Sequence, residues 1–459
     1  MLGLDAVPPE LLFDRLLPVM PNVRRLYEHG ARAPLRSTDP PITVPAWPVM
    51  FTGYDPGSIG FYGFRHRRNR SYLETYVPSS TLLPVPTLWQ LLSQRGRRVT
   101  VIGMPPGYPA PAVNGFYISD FLTPAGRTDY TYPPALRGEI ESRFGPYRFD
   151  VVFRAEERVQ LYQDILAMTR QRFAIAEQLL GREPWDVFAI HEIGTDRLHH
   201  AYWKYFDRTH PEFVPGNRFE NVATEYYAEV DRLIGRLLAI AGDDTLVLIA
   251  SDHGSMAMSG CFCINQWLVE HGYLVLRQPA APGTPLEKAD VDWARTKAWG
   301  AGGYYARLFF NVKGREPQGL VTVEELPALQ ERLVRELTAL RGPDGTPLRV
   351  DVLDPKVIYR EVRGDPPDLM FYFGELRWRS AGTLGHPTLF LKENDTGPDD
   401  AVHGFDGVFL LYDPRRPEGR DIGPQKILDV MPTLLHLMGE EIPPKVQGRV
   451  MDPFLTNGS

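Results

Sequence analysis

Cysteine is almost missing from this 459-residue chain: only Cys261 and Cys263 occur. One intervening residue suits them poorly to a mutual bridge, so there is no disulfide framework. Long apolar runs are also missing, and none approaches the length of a membrane span. The N-terminus shows no basic stretch followed by an apolar core, so no signal peptide is read and a cytoplasmic location is the default expectation. Met1-Leu2-Gly3-Leu4 reaches Asp5 almost at once, which leaves an upstream start of the native chain open. Basic residues are not in excess: 50 Lys and Arg face 57 Asp and Glu, a net charge of -7. That balance argues against a nucleic-acid surface. The one basic cluster, Arg65-His66-Arg67-Arg68-Asn69-Arg70, reads either as a solvated loop or as a contact for an anionic substrate. Internal repeats and low-complexity tracts are absent as well.

What the chain does have is an alternation of strand and helix from residue 2 to residue 251. Leu2 to Ala6 reads as a strand ending on Asp5. Further strands are expected at 98–103, 115–119, 185–191 and 246–251, with helices at 87–94, 156–180 and 221–240. This pattern predicts an α/β fold, a three-layer sandwich whose mainly parallel central sheet is covered on both faces. Between about 275 and 365 the strands shorten and turn signals thicken, which reads as a smaller inserted subdomain. The catalytic core is then expected over 1–274 and 366–459, with the run at 368–373 rejoining it.

In an open α/β sheet ligands bind at the carboxyl ends of the strands. The buried run Leu246–Ala250 is broken abruptly there by Ser251-Asp252-His253-Gly254. Asp5, Asp196 and His200 also follow predicted strands, and the four-residue spacing of Asp196 and His200 puts both on one helical face. His403 precedes the apolar run Val408–Tyr412 and reaches the same edge if that strand runs antiparallel. Three Asp and three His make an N/O donor set suited to zinc or manganese. Two such ions sharing one site clamp the attacking and leaving oxygens of a phosphoryl displacement. Thr43 lies in a proline-dense loop just before a helix expected from Pro48. Free N–H groups there favour an anion, and the hydroxyl is either a helix-cap neighbour or a nucleophile.

Six segments in this order resemble the alkaline phosphatase superfamily, in particular its type I phosphodiesterase and nucleotide pyrophosphatase branch. They are Gly3-Leu4-Asp5, Thr43-Val44-Pro45-Ala46-Trp47, Asp196 to Trp203, Ser251-Asp252-His253-Gly254, His403-Gly404 and Asp429-Val430-Met431-Pro432-Thr433. The resemblance implies one zinc on Asp196, His200 and His403 and another on Asp5, Asp252 and His253, with Thr43 beside it. It implies a phospho-threonine intermediate released by water, and a small phosphate ester or nucleotide-like substrate. His199 is off the spacing and is expected not to be a ligand. The chain departs from the branch where Phe64 stands at the place of a phosphate-binding asparagine, a role that Arg65 or His66 is then expected to assume. Phosphomonoesterase, phosphonate hydrolase and phosphosugar mutase activities are the alternatives within the superfamily. A sulfatase is disfavoured because both cysteines lie far from position 43, and a non-catalytic relative is disfavoured because every expected ligand position is filled.

Overall fold

Nine strands of the first compact unit lie in the order 420–421, 31–36, 406–412, 247–250, 2–4, 187–192, 99–102, 115–118 and 131–132, with 425–426 also pairing 31–36. The computed structural model describes residues 1–455. Its contacts separate two compact units, one built from residues 1–64, 77–255 and 403 onward, the other from 65–76 and 256–402.

In the first unit the central strands Val247–Ala250, Leu2–Leu4, Val187–Glu192, Val99–Ile102 and Gly115–Ile118 are all mutually parallel. Apart from Gly115 and Phe116, which are half-buried, their residues are buried on both faces, as the apolar runs require. One face packs on helices Thr43–Thr52, Leu88–Gln94 and Val430–Leu437, through a core that includes Trp47, Phe51, Trp89 and Phe409. Helices Pro21–His29, Arg158–Leu180 and Val222–Ala241 pack together in another layer of this unit, each with a buried apolar stripe. The expected α/β class and mainly parallel sheet are therefore present. The strand Asp406–Tyr412 runs antiparallel to Val247–Ala250, with Phe409 opposite Ala250. Its start consequently lies at the edge where the parallel strands end, which brings His403 there.

Strand Ala31–Arg36 was not legible in the sequence. Its buried positions are Ala31, Ala33 and Leu35, alternating with Arg32, Pro34 and Arg36. Small residues and a proline carry little strand signal.

The second unit holds a mixed sheet with strands Ala298–Ala301, Ala306–Phe310, Leu369–Phe373, Trp378–Ala381, Gly260–Cys263 and Phe390–Leu391 in that order. Helix Leu326–Thr338 buries Leu329, Leu333 and Leu337 within this unit's core, a four-residue repeat that puts them on one face. The run at 369–373 does not rejoin the parallel sheet. It pairs antiparallel with Ala306–Phe310 and Val350–Leu353. A short buried apolar run specifies a strand but not the sheet it enters. Cys261 and Cys263 both lie on the buried strand Gly260–Cys263, and burial pushes each thiol up to about 12. Among the described residues no helix is long and apolar enough to cross a membrane.

Candidate active site

Sheet register places the first candidate ligand cluster. Gly3 lies opposite Ala250, so the chain leaves both neighbouring strands at once and delivers Asp5 beside Asp252. The turn is tight: Ala6 adopts a left-handed conformation with φ 62°, and its N–H donates to Asp252 Oδ1 at 3.2 Å. A non-glycine residue held there is strained, and it persists because its surroundings overdetermine it. The Ala6 carbonyl accepts from Ser255 Oγ at 2.8 Å, and Ser251 Oγ accepts from the Val7 N–H at 2.7 Å. Asp5 Oδ2 accepts from Trp47 Nε1 at 2.9 Å and lies 2.7 Å from His191 Nε2. Gly3 makes that indole contact feasible, because a Cβ there would sit 2.6 Å from Trp47 Cη2.

The other carboxylate oxygens are left over. Asp5 Oδ1 and Asp252 Oδ2 are buried and find no hydrogen-bond partner among the described residues. Burial, and after it the charge of Asp5, pushes Asp252 well above the usual carboxylate range. His253 Nδ1 donates to the Gly254 carbonyl at 2.9 Å, because a carbonyl only accepts. That fixes the hydrogen on Nδ1 and turns the Nε2 lone pair toward Asp252 Oδ2, 3.2 Å away. Two unsatisfied carboxyl oxygens and an imidazole lone pair facing one point are what a cation would satisfy. Ligand atoms of Asp5, Asp252 and His253 all lie within 4.8 Å of one another.

A second group within the same limit is Asp196, His200 and His403. Helix Gly194–Phe206 carries the first two on one buried face. Asp196 Oδ1 lies 3.2 Å from His200 Nε2 and 3.9 Å from His403 Nε2. His403 Nδ1 donates to the Pro41 carbonyl at 2.8 Å, which puts the ring hydrogen on Nδ1 and leaves the lone pair on Nε2, the nitrogen on the Asp196 side. Burial, then His253 and His200, hold His403 well below the usual imidazole range, so the ring is neutral, the form that ligates metal. Burial opposes ionisation of Asp196, yet His200 and Arg197 hold its carboxyl well below the usual range. The rings of His253 and His403 stack at 3.8 Å, which joins the two clusters.

Thr43 meets them at a helix end. The helix begins at Thr43, not at Pro48 as the sequence suggested. Pro45 falls in the first turn, where no N–H is needed, and Pro48 is tolerated inside a helix whose ten residues are all buried. Ile42 provides no side-chain cap, so the first-turn N–H groups and the positive end of the dipole stay available. Thr43 Oγ1 stands 3.2 Å from His253 Nε2.

A model of the family described as type I phosphodiesterase/nucleotide pyrophosphatase matches residues 1–406. The chain belongs to that family. Its members are hydrolases acting on phosphoric ester bonds. No curated protein sequence matches the chain. Among solved structures, human ectonucleotide pyrophosphatase/phosphodiesterase 5 is similar in fold, with a TM-score of 0.58 at 11% identity, over 96% of this chain and 95% of that one.

Within this phosphodiesterase-family fold, His199 is spoken for at both nitrogens. Nδ1 lies 3.1 Å from the Ala6 carbonyl and 3.0 Å from Ser255 Oγ, while Tyr227 Oη is 2.9 Å from Nε2. Burial lowers its pKa to about 3. His191 and Trp47, which brace Asp5, went unread in the sequence. His191 is the penultimate residue of its strand and points at the same edge, a signal the apolar run around it concealed. Phe64 is half-buried with its ring 6.4 Å from Phe121. Arg65 and His66 belong to the second unit. Arg65 is exposed, and its carbonyl accepts from Arg307. His66 is buried and held at about 3 by burial and by Arg307, so it is uncharged.

Proposed function

We propose that this family member is a two-metal phosphodiesterase in which Thr43 is the nucleophile. The observation that carries this reading is the Thr43 hydroxyl at a helix N-terminus, 3.2 Å from His253 Nε2, where two buried clusters of N and O donors meet and Asp5 Oδ1 and Asp252 Oδ2 find no hydrogen-bond partner among the described residues. Asp196, His200 and His403 would hold one divalent ion, and Asp5, Asp252 and His253 the other. Zinc is the first choice for this donor set and manganese the second. Such ions supply Lewis-acid charge to phosphoryl and leaving oxygens and lower the pKa of a nearby hydroxyl.

The chain's own part is positioning. Thr43 Oγ forms a bond to phosphorus as the bond to the leaving oxygen breaks, and the hydroxyl proton departs with the leaving alkoxide as the free alcohol, giving a phospho-threonine ester. Water then attacks phosphorus, the bond to Oγ breaks, and one proton of that water returns to Oγ. The uncapped N–H groups at the start of helix Thr43–Thr52 face the phosphoryl oxygens and favour their negative charge. The substrate is a small phosphate ester or nucleotide-like molecule. Phe64, Arg65 and His66 are the proposed substrate contacts, and of these Arg65 alone brings charge.

The test is hydrolysis of bis-p-nitrophenyl phosphate against p-nitrophenyl phosphate, with zinc or manganese added, beside Thr43→Ala. Diester turnover that disappears in the variant supports the reading. Equal activity in the variant removes Thr43 from its role, and a strong monoester preference replaces the diesterase by a monoesterase.

A further inference from the structure

Arg197 follows a proposed metal ligand, yet nothing in that ligand set requires an arginine. It is 6% exposed, and its neighbours Asp150, Phe153, Phe121 and Asp196 immobilise it. Nε and Nη2 donate to the two oxygens of Asp150, each at 2.7 Å, the fork-to-fork arrangement open to arginine and not to lysine. The guanidinium lies over the Phe153 ring at 4.4 Å and over Phe121 at 5.3 Å. Nη1, the remaining nitrogen, donates to Asp196 Oδ2. Phe153 in turn sits 5.4 Å from the His200 ring.

Asp196 is thereby divided. Its Oδ2 is committed to a fixed cation, and its Oδ1 faces His200 and His403. The Asp5 cluster is braced otherwise, by Trp47 and His191, neither a permanent cation.

We infer that Arg197 is a positioning residue that makes Asp196 a one-oxygen ligand and thereby sets the affinity of the Asp196–His200–His403 cluster independently of its neighbour. The inference rests on the two-metal reading above. Without the fork, Asp196 is free to turn, and the cluster loses its preset geometry. Hydrogen-bond partners of metal ligands typically govern affinity by about 10- to 100-fold.

The experiment uses the full chain, stripped with a chelator and titrated with zinc against a chromogenic competitor. Cobalt absorption supplies a spectroscopic signature of each equivalent. The unmodified protein should take up two equivalents. Arg197→Gln should keep two, with one weakened about 10- to 100-fold and the other unchanged, and the cobalt spectrum should change in one equivalent only. Asp150→Asn, which removes half the fork without touching Asp196, should weaken the same equivalent by less, and it serves if Arg197→Gln fails to fold. Arg197→Lys should restore part of the loss. Unchanged affinities in Arg197→Gln, or equal weakening of both equivalents together with a lower melting temperature, would overturn the inference. Fewer than two equivalents in the unmodified protein would instead sink the two-metal reading on which it stands.

Discussion

The Asp5–Asp252–His253 cluster and the Asp196–His200–His403 cluster draw on the same side-chain types, but the fold assembles them by different routes. In the first, candidate ligands stand at the ends of adjacent parallel strands, and backbone register holds Asp5 beside Asp252. In the second, two candidate ligands share a helical face and the third, His403, stands just before the antiparallel strand Asp406–Tyr412, so side-chain bracing must complete what register does not supply. The first leaves two buried carboxylate oxygens unsatisfied among the described residues, while the second has both Asp196 oxygens engaged. Register is thus enough to converge charges, and a permanent cation appears where convergence depends on rotatable side chains.

The largest break removes the group both clusters serve. Thr43→Ala should lower diester turnover by about 10^3-fold or more while both zinc equivalents still bind, because the hydroxyl supplies chemistry and the clusters supply the ions. Next, Asp252→Ala and His403→Ala should each lose one zinc equivalent, a different one in each case, with turnover down by about 10^2-fold or more. Metal analysis of the two variants and their double mutant checks this, since loss of both equivalents in either single variant would merge the clusters into one site. A subtler change is Gly3→Ala, whose Cβ would meet Trp47 at 2.6 Å. It should displace the indole from Asp5, destabilise the fold by about 1–3 kcal/mol in urea unfolding, and weaken only the Asp5 cluster. Trp47→Phe isolates the lost N–H, with zinc affinity of that cluster expected to fall by about 10-fold. The smallest effect on metal belongs to His199→Gln. Both equivalents should bind as before, and stability should fall by about 1–3 kcal/mol from the broken contacts with Ala6, Ser255 and Tyr227.

The strand–helix alternation and the long apolar runs made the parallel sheet legible, because buried parallel strands are apolar throughout. Asp5, Asp196, His200, Asp252 and His253 were legible because chemistry in such a sheet collects at strand ends. His403 was legible only conditionally, and the antiparallel course of Asp406–Tyr412 satisfies the condition. Other features were hidden for physical reasons. The true start of the Thr43 helix was masked by prolines that read as loop, and strand 31–36 by its alanines. Trp47 and His191 are separated from Asp5 by 42 and 186 positions, so only tertiary folding shows that they hold its Oδ2. Arg197, although adjacent to Asp196, received no role from the sequence, because its partners Asp150, Phe121 and Phe153 come from distant positions.

The central claim is that Thr43 becomes covalently attached to phosphorus. The most direct test is to acid-quench the zinc-loaded protein during turnover of bis-p-nitrophenyl phosphate and map the adduct by peptide mass spectrometry. The account predicts a phosphoryl-ester adduct on Thr43, absent from Thr43→Ala. Turnover at full rate with an adduct on another residue, or with turnover retained in Thr43→Ala, would contradict it.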